Sequence, residues 1–203
     1  MSPIEAPWIR KEEIFARAEN LLDEHGLGDA PVEADYIIDA IFGIEIVVAE
    51  DLYRTTSVNA FLSGGATQVF VDYETSIGDP TWYNFSLAHE IGHLVLHRQV
   101  FDAATHKTRA QYDAFRRQIG PDTYSKLEQQ AHLFAGALIA PSRLLERTAD
   151  EVVAVIHEHG IELTPVLEVD WPIIFREIGK RLNANEQTIA YRMKDLGIYR
   201  KYL

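Results

Sequence analysis

The chain has 203 residues, a formal net charge of −12 at pH 7, no cysteine and a hydrophobic fraction of 47%. This length suits one domain with an appendage, and the lack of cysteine excludes disulfides and thiolate metal sites. The acidic balance counts against nonspecific DNA binding by the whole protein.

The first part of the chain predicts two helices followed by a small sheet. Lys11–His25 carries apolar side chains at helical spacing, and residues 32–42 predict a second helix that ends at Gly43. The side chains expected to face inward from the first helix are Ile14, Ala18, Leu21 and Leu22. Short strands are expected at residues 44–49, 60–62 and 68–73. Helices around a small mixed or antiparallel sheet make an α+β fold.

A metal-binding pattern lies on the next predicted helix, which runs from near Thr81 to His97. His89 and His93 are four residues apart, so both imidazoles can reach one ion at about 2.0–2.1 Å, the zinc–nitrogen distance. Glu90 points about 100° away around the helix, where it can contact a water beside the ion and act as a general base. The pattern H-E-x-x-H therefore predicts metal-assisted hydrolysis with two ligands and one base.

The residues around this pattern favour a metal site over a chance match. Most neighbours are apolar, which predicts a buried helix, where histidine and glutamate are costly without partners. Gly92 is expected to leave space beside the ion. His97 lies eight residues, about 12 Å, from His89 and cannot share its ion. We therefore expect His97 to cap the helix or to support a ligand.

The third ligand must come from elsewhere in the chain. Leu96 and Gln99 stand where the metzincin pattern requires glycine and histidine, so a glutamate on a later helix is the remaining common solution. Residues 126–141 predict such a helix with an apolar stripe. The stripe comprises Ala131, Phe134, Ala135, Leu138 and Ile139. Glu128, one turn before it, is the best candidate, while His132 remains an alternative ligand or a partner of one.

Three segments of the chain match the patterns of a known family. Residues 85–97 are F-S-L-A-H-E-I-G-H-L-V-L-H, and residues 128–141 keep E-x-x-A-x-x-F-A-x-x-L-I-x-P. With the helix-to-strand segment at 31–48, they resemble the ImmA/IrrE-type metallopeptidases, whose motifs are F-T-L-A-H-E-x-G-H-x-x-x-H and E-x-x-A-N-x-F-A-x-x-L-L-M-P. The resemblance covers roughly residues 12–142 and, weakly, a tail near 172–198. Members of that family are bacterial and phage-associated proteins that cleave helix-turn-helix repressors.

The resemblance implies a zinc centre with His89, His93 and Glu128 as ligands and Glu90 as the catalytic base. It also implies a protein substrate, a helix-turn-helix repressor. Two departures from the family pattern stand out. His132 replaces an asparagine, and the interval from His93 to Glu128 is long. Its polar stretch at 98–125 is expected to affect substrate access.

The C-terminal tail has the opposite charge from the rest of the chain. Residues 171–203 carry seven Lys or Arg and three acids, a net of +4, so the remaining 170 residues carry −16. The tail predicts helices at 173–182 and Glu186–Leu196, with Asn185 as N-cap and Gly197 as C-cap. This is the shape of a helix-turn-helix. An apolar face formed by Ile173, Ile174, Ile178 and Leu182 more simply packs on the body, so direct DNA reading is disfavoured.

We therefore expect a metallopeptidase-like domain at 1–145 and a C-terminal helical segment at 146–203. The domain would hold one Zn²⁺, with Mn²⁺ as the other candidate, and hydrolyse a peptide bond. His132, Tyr112 and Tyr124 are candidates for stabilising the oxyanion, and a sheet edge at 68–73 could hold an extended substrate.

Two other classes of protein remain as alternatives. A regulator that binds metal without cutting would need no Glu90, so the intact glutamate counts against it. A DNA-binding protein with a structural metal is disfavoured by the acid surplus. The sequence contains no run of 18 apolar residues and no basic-then-apolar segment at its N-terminus, which predicts a cytoplasmic protein without a membrane segment.

Overall fold

The computed structural model describes residues 6–160 and 171–202. Two helical segments precede the sheet: α1 (Lys11–His25) and α2 (Ala34–Tyr36), which a π-helical turn at Ile37–Ile41 extends. The helix expected at 32–42 therefore forms in two parts. It ends at Gly43, whose φ of 63° favours glycine.

The sheet consists of β1 (Glu45–Ala49), β2 (Ala60–Leu62) and β3 (Gln68–Asp72), in the order β1-β3-β2. Strand β1 pairs with β3 in parallel, and β2 pairs with β3 antiparallel. The short helices α3 (Leu52–Thr56) and α4 (Tyr73–Ile77) follow β1 and β3. A small mixed sheet among helices confirms the α+β fold.

The prediction that residues 68–73 form an edge of the sheet is wrong. Strand β3 is the central strand and is paired on both sides, so it has no free edge. The edges are β1 and β2. Strand order depends on pairing between distant segments, which the alternation of residues within one strand does not encode.

Seven further helices complete the described fold. They are α5 (Pro80–Leu96), α6 (Arg98–Asp102), α7 (Arg109–Ile119), α8 (Pro121–Ile139), α9 (Ser142–Glu158), α10 (Trp171–Leu182) and α11 (Glu186–Leu196). A 3₁₀ turn at Ile198–Tyr202 follows α11. The polar stretch at 98–125 is thus largely helical. It buries Tyr112, Phe115 and Ile119 against the rest of the protein.

Helices α5 and α8 form the central pair of the molecule. Asp79 caps α5 by accepting a hydrogen bond from the Thr81 N–H, and Pro80 fits its first turn. The apolar stripe predicted for α8 is fully buried. Gly92 does not border an empty space as expected: a Cβ there would lie 2.9 Å from the Ala131 Cα and 3.0 Å from the Ala131 oxygen. The glycine therefore allows close packing of the two helices.

The tail packs on α8 and α9 through apolar side chains and ion pairs. Ile174, Ile178 and Leu182 are buried as expected, but Ile173 is 68% exposed, and Trp171 lies in the core in its place. The caps predicted at Asn185 and Gly197 are both present. The ion pairs that join the tail to the body are Arg181–Glu151, Arg192–Glu19, Lys11–Asp195, Lys201–Glu146 and Lys201–Asp150.

Among the described residues, none of the helices is both long and apolar enough to cross a membrane. The division of the chain at residue 145 stays a prediction.

Candidate metal centre

Three predicted site residues meet between α5 and α8. The Nε2 atoms of His89 and His93 lie 3.2 Å apart, because one helical turn separates the two residues. Glu128 on α8 directs one carboxylate oxygen to each ring, 3.3 Å from His89 Nε2 and 3.3 Å from His93 Nε2. His89, His93 and Glu128 can together hold a metal ion.

The spacing of these atoms suits a small tetrahedral ion. Two ligands held about 2.0–2.1 Å from an ion at a tetrahedral angle lie about 3.3 Å apart. The measured separations of 3.2 and 3.3 Å agree with that value. Two neutral imidazoles and one carboxylate are also the donor set that zinc accepts with one position left open. The residues present therefore fit the group that the sequence predicts.

The charge state of Glu128 is consistent with metal binding. Burial opposes ionisation of Glu128, but hydrogen bonds from His89 and His93 outweigh it and hold the pKa of the carboxyl well below its ordinary value. The carboxylate is therefore ionised at neutral pH and ready to offset part of a cation's charge. Tyr124 also hydrogen-bonds to Glu128.

A chain of hydrogen bonds holds His93 from behind. Its Nδ1 lies 3.0 Å from His97 Nδ1, and His97 Nε2 lies 2.8 Å from Gln130 Oε1. Gln130 in turn donates to the Pro7 carbonyl at 2.8 Å. When His93 uses Nε2 as a ligand, its Nδ1 carries the hydrogen, so His97 must accept there and donate to Gln130.

The environment of His97 supports that order of donors. Burial, assisted by nearby His93, lowers the pKa of His97 to about 4, so the ring is neutral at pH 7 and can accept one hydrogen bond. His97 is also the C-cap residue of α5, where the backbone leaves the helical conformation with a φ of −126° and a ψ of 19°. The expectation that His97 caps the helix is confirmed, and its support of a metal ligand stays a prediction.

Glu90 is buried and lines one cleft together with His89 and Glu128. Burial raises the pKa of its carboxyl, and the neighbouring His93 and His89 partly offset that rise. The Leu62 N–H donates a hydrogen bond to Glu90. Strand β2 therefore positions the side chain that the sequence predicts to be the base.

A buried histidine fixes the other side of Leu62. His106 Nε2 donates to the Leu62 carbonyl at 2.8 Å, and the His106 carbonyl accepts a hydrogen bond from the Gly64 N–H at 2.7 Å. A Cβ at Gly64 would lie 2.5 Å from the Ala104 oxygen, so only glycine permits this approach. The segment between α6 and α7 thus holds β2 against the base.

An open cleft of about 340 Å³ is lined by His89, Glu90 and Glu128. Its walls come from β2 and the residues before it, from α5, and from α7 and α8. All three residues expected as oxyanion donors, Tyr112, Tyr124 and His132, line this cleft. The hydroxyls of Tyr112 and Tyr124 lie 3.4 Å apart, and the Arg116 guanidinium lies 4.8 Å from the Tyr124 ring centre.

His132 is not part of the group that His89, His93 and Glu128 form. Its ring meets the ring of Phe85 edge-on, with centroids 4.9 Å apart. Within the described part of the chain it forms no hydrogen bond with His89, His93 or Glu128. The carboxylate, and not this histidine, is the third group brought to the two imidazoles.

Two contributors to the site were missed at the sequence level. Gln130 follows Glu128 by two residues and carries no pattern that distinguishes it from other helical glutamines. Leu62 contributes through its backbone, which no side-chain motif reports. Only the proximity of Gln130 to Glu128 could have drawn attention to it.

Comparisons with known proteins agree with this geometry. A model of the Peptidase M78 family, described as an IrrE N-terminal-like domain, matches residues 76–194, more than half of the chain. None of the curated proteins compared with the chain matches it. A solved structure of a Mycobacterium tuberculosis transcriptional regulator aligns with a TM-score of 0.56 and 15% identity, over 90% of this chain and 46% of that one. The likeness is one of fold, and the chain spans less than half of that protein's length.

Proposed function

The chain belongs to the Peptidase M78 family of IrrE N-terminal-like domains, and on that premise we propose that it is a zinc-dependent endopeptidase. The observation that carries the proposal is the meeting of His89, His93 and Glu128 at tetrahedral spacing, with the Glu90 carboxylate beside them. Zinc suits this donor set better than magnesium or calcium, which take oxygen ligands; Mn²⁺ is the other candidate.

The side chains divide the work of peptide hydrolysis. A divalent ion at this centre would polarise a peptide carbonyl and make a nearby water more acidic. Glu90 accepts the proton of the attacking water and later delivers it to the leaving amine. Its buried carboxyl, with a raised pKa, suits both steps better than a solvated glutamate would. His97 and Gln130 hold His93 in the ring orientation that ligation needs.

Strand β2 is the edge on which an extended peptide would lie. The residues on either side of β2 form hydrogen bonds with β3: the Ser63 N–H donates to the Gln68 carbonyl, and the Asp72 N–H donates to the Asn59 carbonyl. Because hydrogen-bonded and non-hydrogen-bonded positions alternate along an antiparallel pair, the backbone N–H and C=O groups of Ala60 and Leu62 point away from β3. The Leu62 N–H donates to Glu90, and the Leu62 carbonyl accepts from His106. Ala60 lines the cleft, where its groups are available for strand addition.

We propose a helix-turn-helix repressor as the protein substrate. The support is the resemblance of residues 85–97 and 128–141 to peptidases that cut such repressors. The cytoplasm is the location that fits such a substrate and the absence of cysteine. Ion pairs in the tail argue against direct nucleic-acid binding, because five of its seven basic side chains already face a carboxylate. These five are Arg176, Lys180, Arg181, Arg192 and Lys201.

Substitution of the base tests the proposal. The zinc-loaded protein is incubated with a helix-turn-helix repressor encoded beside it, and cleavage is followed by mass spectrometry. Glu90→Gln keeps the volume and removes the proton acceptor. It should retain metal and fold while cleavage falls about a hundred- to ten-thousand-fold. Glu158→Gln, on the exposed end of α9, is the matched control and should cleave normally.

Two outcomes would count against the proposal. Near-normal cleavage by Glu90→Gln would show that another group accepts the proton. A wild-type protein that holds zinc and binds the repressor without cutting it would favour the alternative function, a regulator that binds metal and does not cleave.

A further inference from the structure

A second cavity adjoins the metal cleft. It has a volume of about 500 Å³, within the range of ligand pockets, and it lies between α1, α8 and α11. Phe85 and His132 line both the cavity and the cleft. Their edge-on ring contact at 4.9 Å therefore forms the ridge that separates the two.

The ridge lies close to the metal ligands. Phe85 precedes His89 by four residues on α5, and His132 follows Glu128 by four residues on α8. Four residues of helix span about 6 Å. The cavity thus begins roughly one helical turn from the centre.

Most of the cavity's exposed wall is apolar, although Gln129, Gln187 and Thr188 also line it, and its charged side chains are paired. Phe15, Leu133 and Tyr191 face it, and Gly136 leaves space at its floor. Lys11 pairs with Asp195, and the buried Arg192 pairs with Glu19 at 3.4 Å and lies 4.3 Å from the Phe15 ring centre. Each cation thus has a carboxylate partner. Glu19 lies behind the cavity wall, where it offsets the one excess positive charge that the wall carries. An uncharged, bulky apolar group is the best match.

The distance from the centre sets which residue of a peptide would reach the cavity. An extended chain advances about 3.3 Å per residue, and side chains on one face recur about every 6.6 Å. That spacing is close to the 6 Å between the metal ligands and the ridge. A side chain two residues from the cleaved bond would therefore arrive at the cavity.

We propose that this cavity is a specificity pocket that takes a leucine- or phenylalanine-class side chain two residues from the cleaved bond. The proposal rests on the peptidase function proposed above. It makes Phe15, Leu133 and Tyr191 determinants of sequence preference. Of these three residues, only Leu133 lies on a helix, α8, that also carries a proposed metal ligand.

Peptide hydroxamates can test the pocket without any cleavage. The hydroxamate group binds the metal, and one series extends to each side of the cleaved position with Ala, Leu, Phe or Asp at the second residue. Calorimetry on the zinc-loaded protein should show about tenfold or tighter binding of Leu and Phe than of Ala in one series, as burial of several extra carbons implies. Acetohydroxamate, which has no side chain, reports the metal centre alone.

Pocket variants make the assignment specific. Tyr191→Ala removes a wall, and Leu133→Trp fills the space, so each should bring the Leu and Ala peptides within about threefold of one another while acetohydroxamate binds as before. Tyr191 is 56% exposed, so its loss should leave the fold intact. Tyr36→Ala removes a tyrosine of similar exposure far from the cavity and should keep the preference.

Three results would overturn the pocket. Equal binding of Ala and Leu peptides in both series, with acetohydroxamate bound, would refute the pocket and leave the metal centre standing. Tighter binding of the Asp peptide would show that the ion pairs open to receive a charge. Failure of acetohydroxamate to bind the zinc-loaded protein would refute the proposed function and the pocket together.

Discussion

Glu128 and His132 lie one turn apart on α8, yet only Glu128 faces the two imidazoles of α5. A carboxylate at this point offsets one unit of an ion's charge, which a third neutral imidazole would not do. Gln130 also contributes to the site, although it does not line the cleft. Gln130 completes the chain of hydrogen bonds that orients His93.

These contacts predict an order of metal affinities. Gln130→Leu should weaken zinc binding about 10- to 100-fold, because it removes the support of His97 without removing a ligand. Glu128→Ala should weaken it more, and about as much as His93→Ala. His132→Ala should stay close to wild type, since its ring contacts Phe85. Competition with a zinc indicator measures all four, and a His132→Ala loss as large as that of Glu128→Ala would reverse the assignment.

At the scale of elements, the closeness of α5 and α8 determines whether the third ligand can reach the first two. Gly92 sets that distance, because its missing side chain admits the backbone of Ala131, three residues from Glu128. The same glycine weakens α5 as an isolated helix by about 1 kcal/mol relative to alanine. Packing between the helices outweighs this cost.

Gly92→Ala therefore should destabilise the protein despite the better helix propensity of alanine. Overpacking costs about 1–3 kcal/mol, and separation of the helices should also weaken metal binding. Gly136→Ala on α8 is the matched control. Its Cβ would lie 3.6 Å from the flexible Arg192 side chain, so it should be neutral or slightly stabilising. Urea unfolding of the two metal-free variants decides between them, and equal stability would show that α8 yields at Ala131.

Periodic patterns predicted the elements well where one face of a helix is buried. The bounds of α1 and α11 and the buried stripe of α8 follow from spacing and caps that lie within each segment. The H-E-x-x-H pattern likewise places both imidazoles, since one turn of helix fixes their distance. Such features need no knowledge of the rest of the fold.

Features that depend on distant pairing escaped prediction. The central place of β3 results from β1 and β2 closing on its two sides, which neither strand signals alone. Ile173 is exposed because Trp171, two residues earlier, occupies the core position instead. The donor to Glu90 is a backbone group of β2, and the residue that anchors it, His106, lies in a segment that looked like a polar insertion.

At the scale of the whole molecule, the positive tail lies on a negative body. Its ion pairs with α9 and α1 are mostly exposed, and exposed pairs contribute at most about 1 kcal/mol each. The apolar face of α10 contributes more, because Ile174, Ile178 and Leu182 are almost fully buried. Charge therefore favours the tail's orientation, while burial holds it in place.

Two isoleucines of α10 separate these effects. Ile178→Ala should cost about 2–5 kcal/mol of unfolding free energy, because it leaves a cavity in the core. Ile173→Ala, at a position 68% exposed, should change stability by less than about 0.5 kcal/mol. Thermal and urea unfolding measure both. A tail that detaches in high salt with Ile178 intact would contradict this account.

Leu62 joins the base to the strand on which a peptide would lie. Its N–H holds Glu90 and its carbonyl is held by His106, so a peptide that displaces β2 also displaces the donor to the base. Seating of the peptide and readiness of the proton acceptor are then one event. Among peptides that fill the cavity equally well, discrimination should therefore appear in kcat more than in KM, as it does when binding energy assembles a catalytic group. Such an enzyme would hold some peptides that it does not cut.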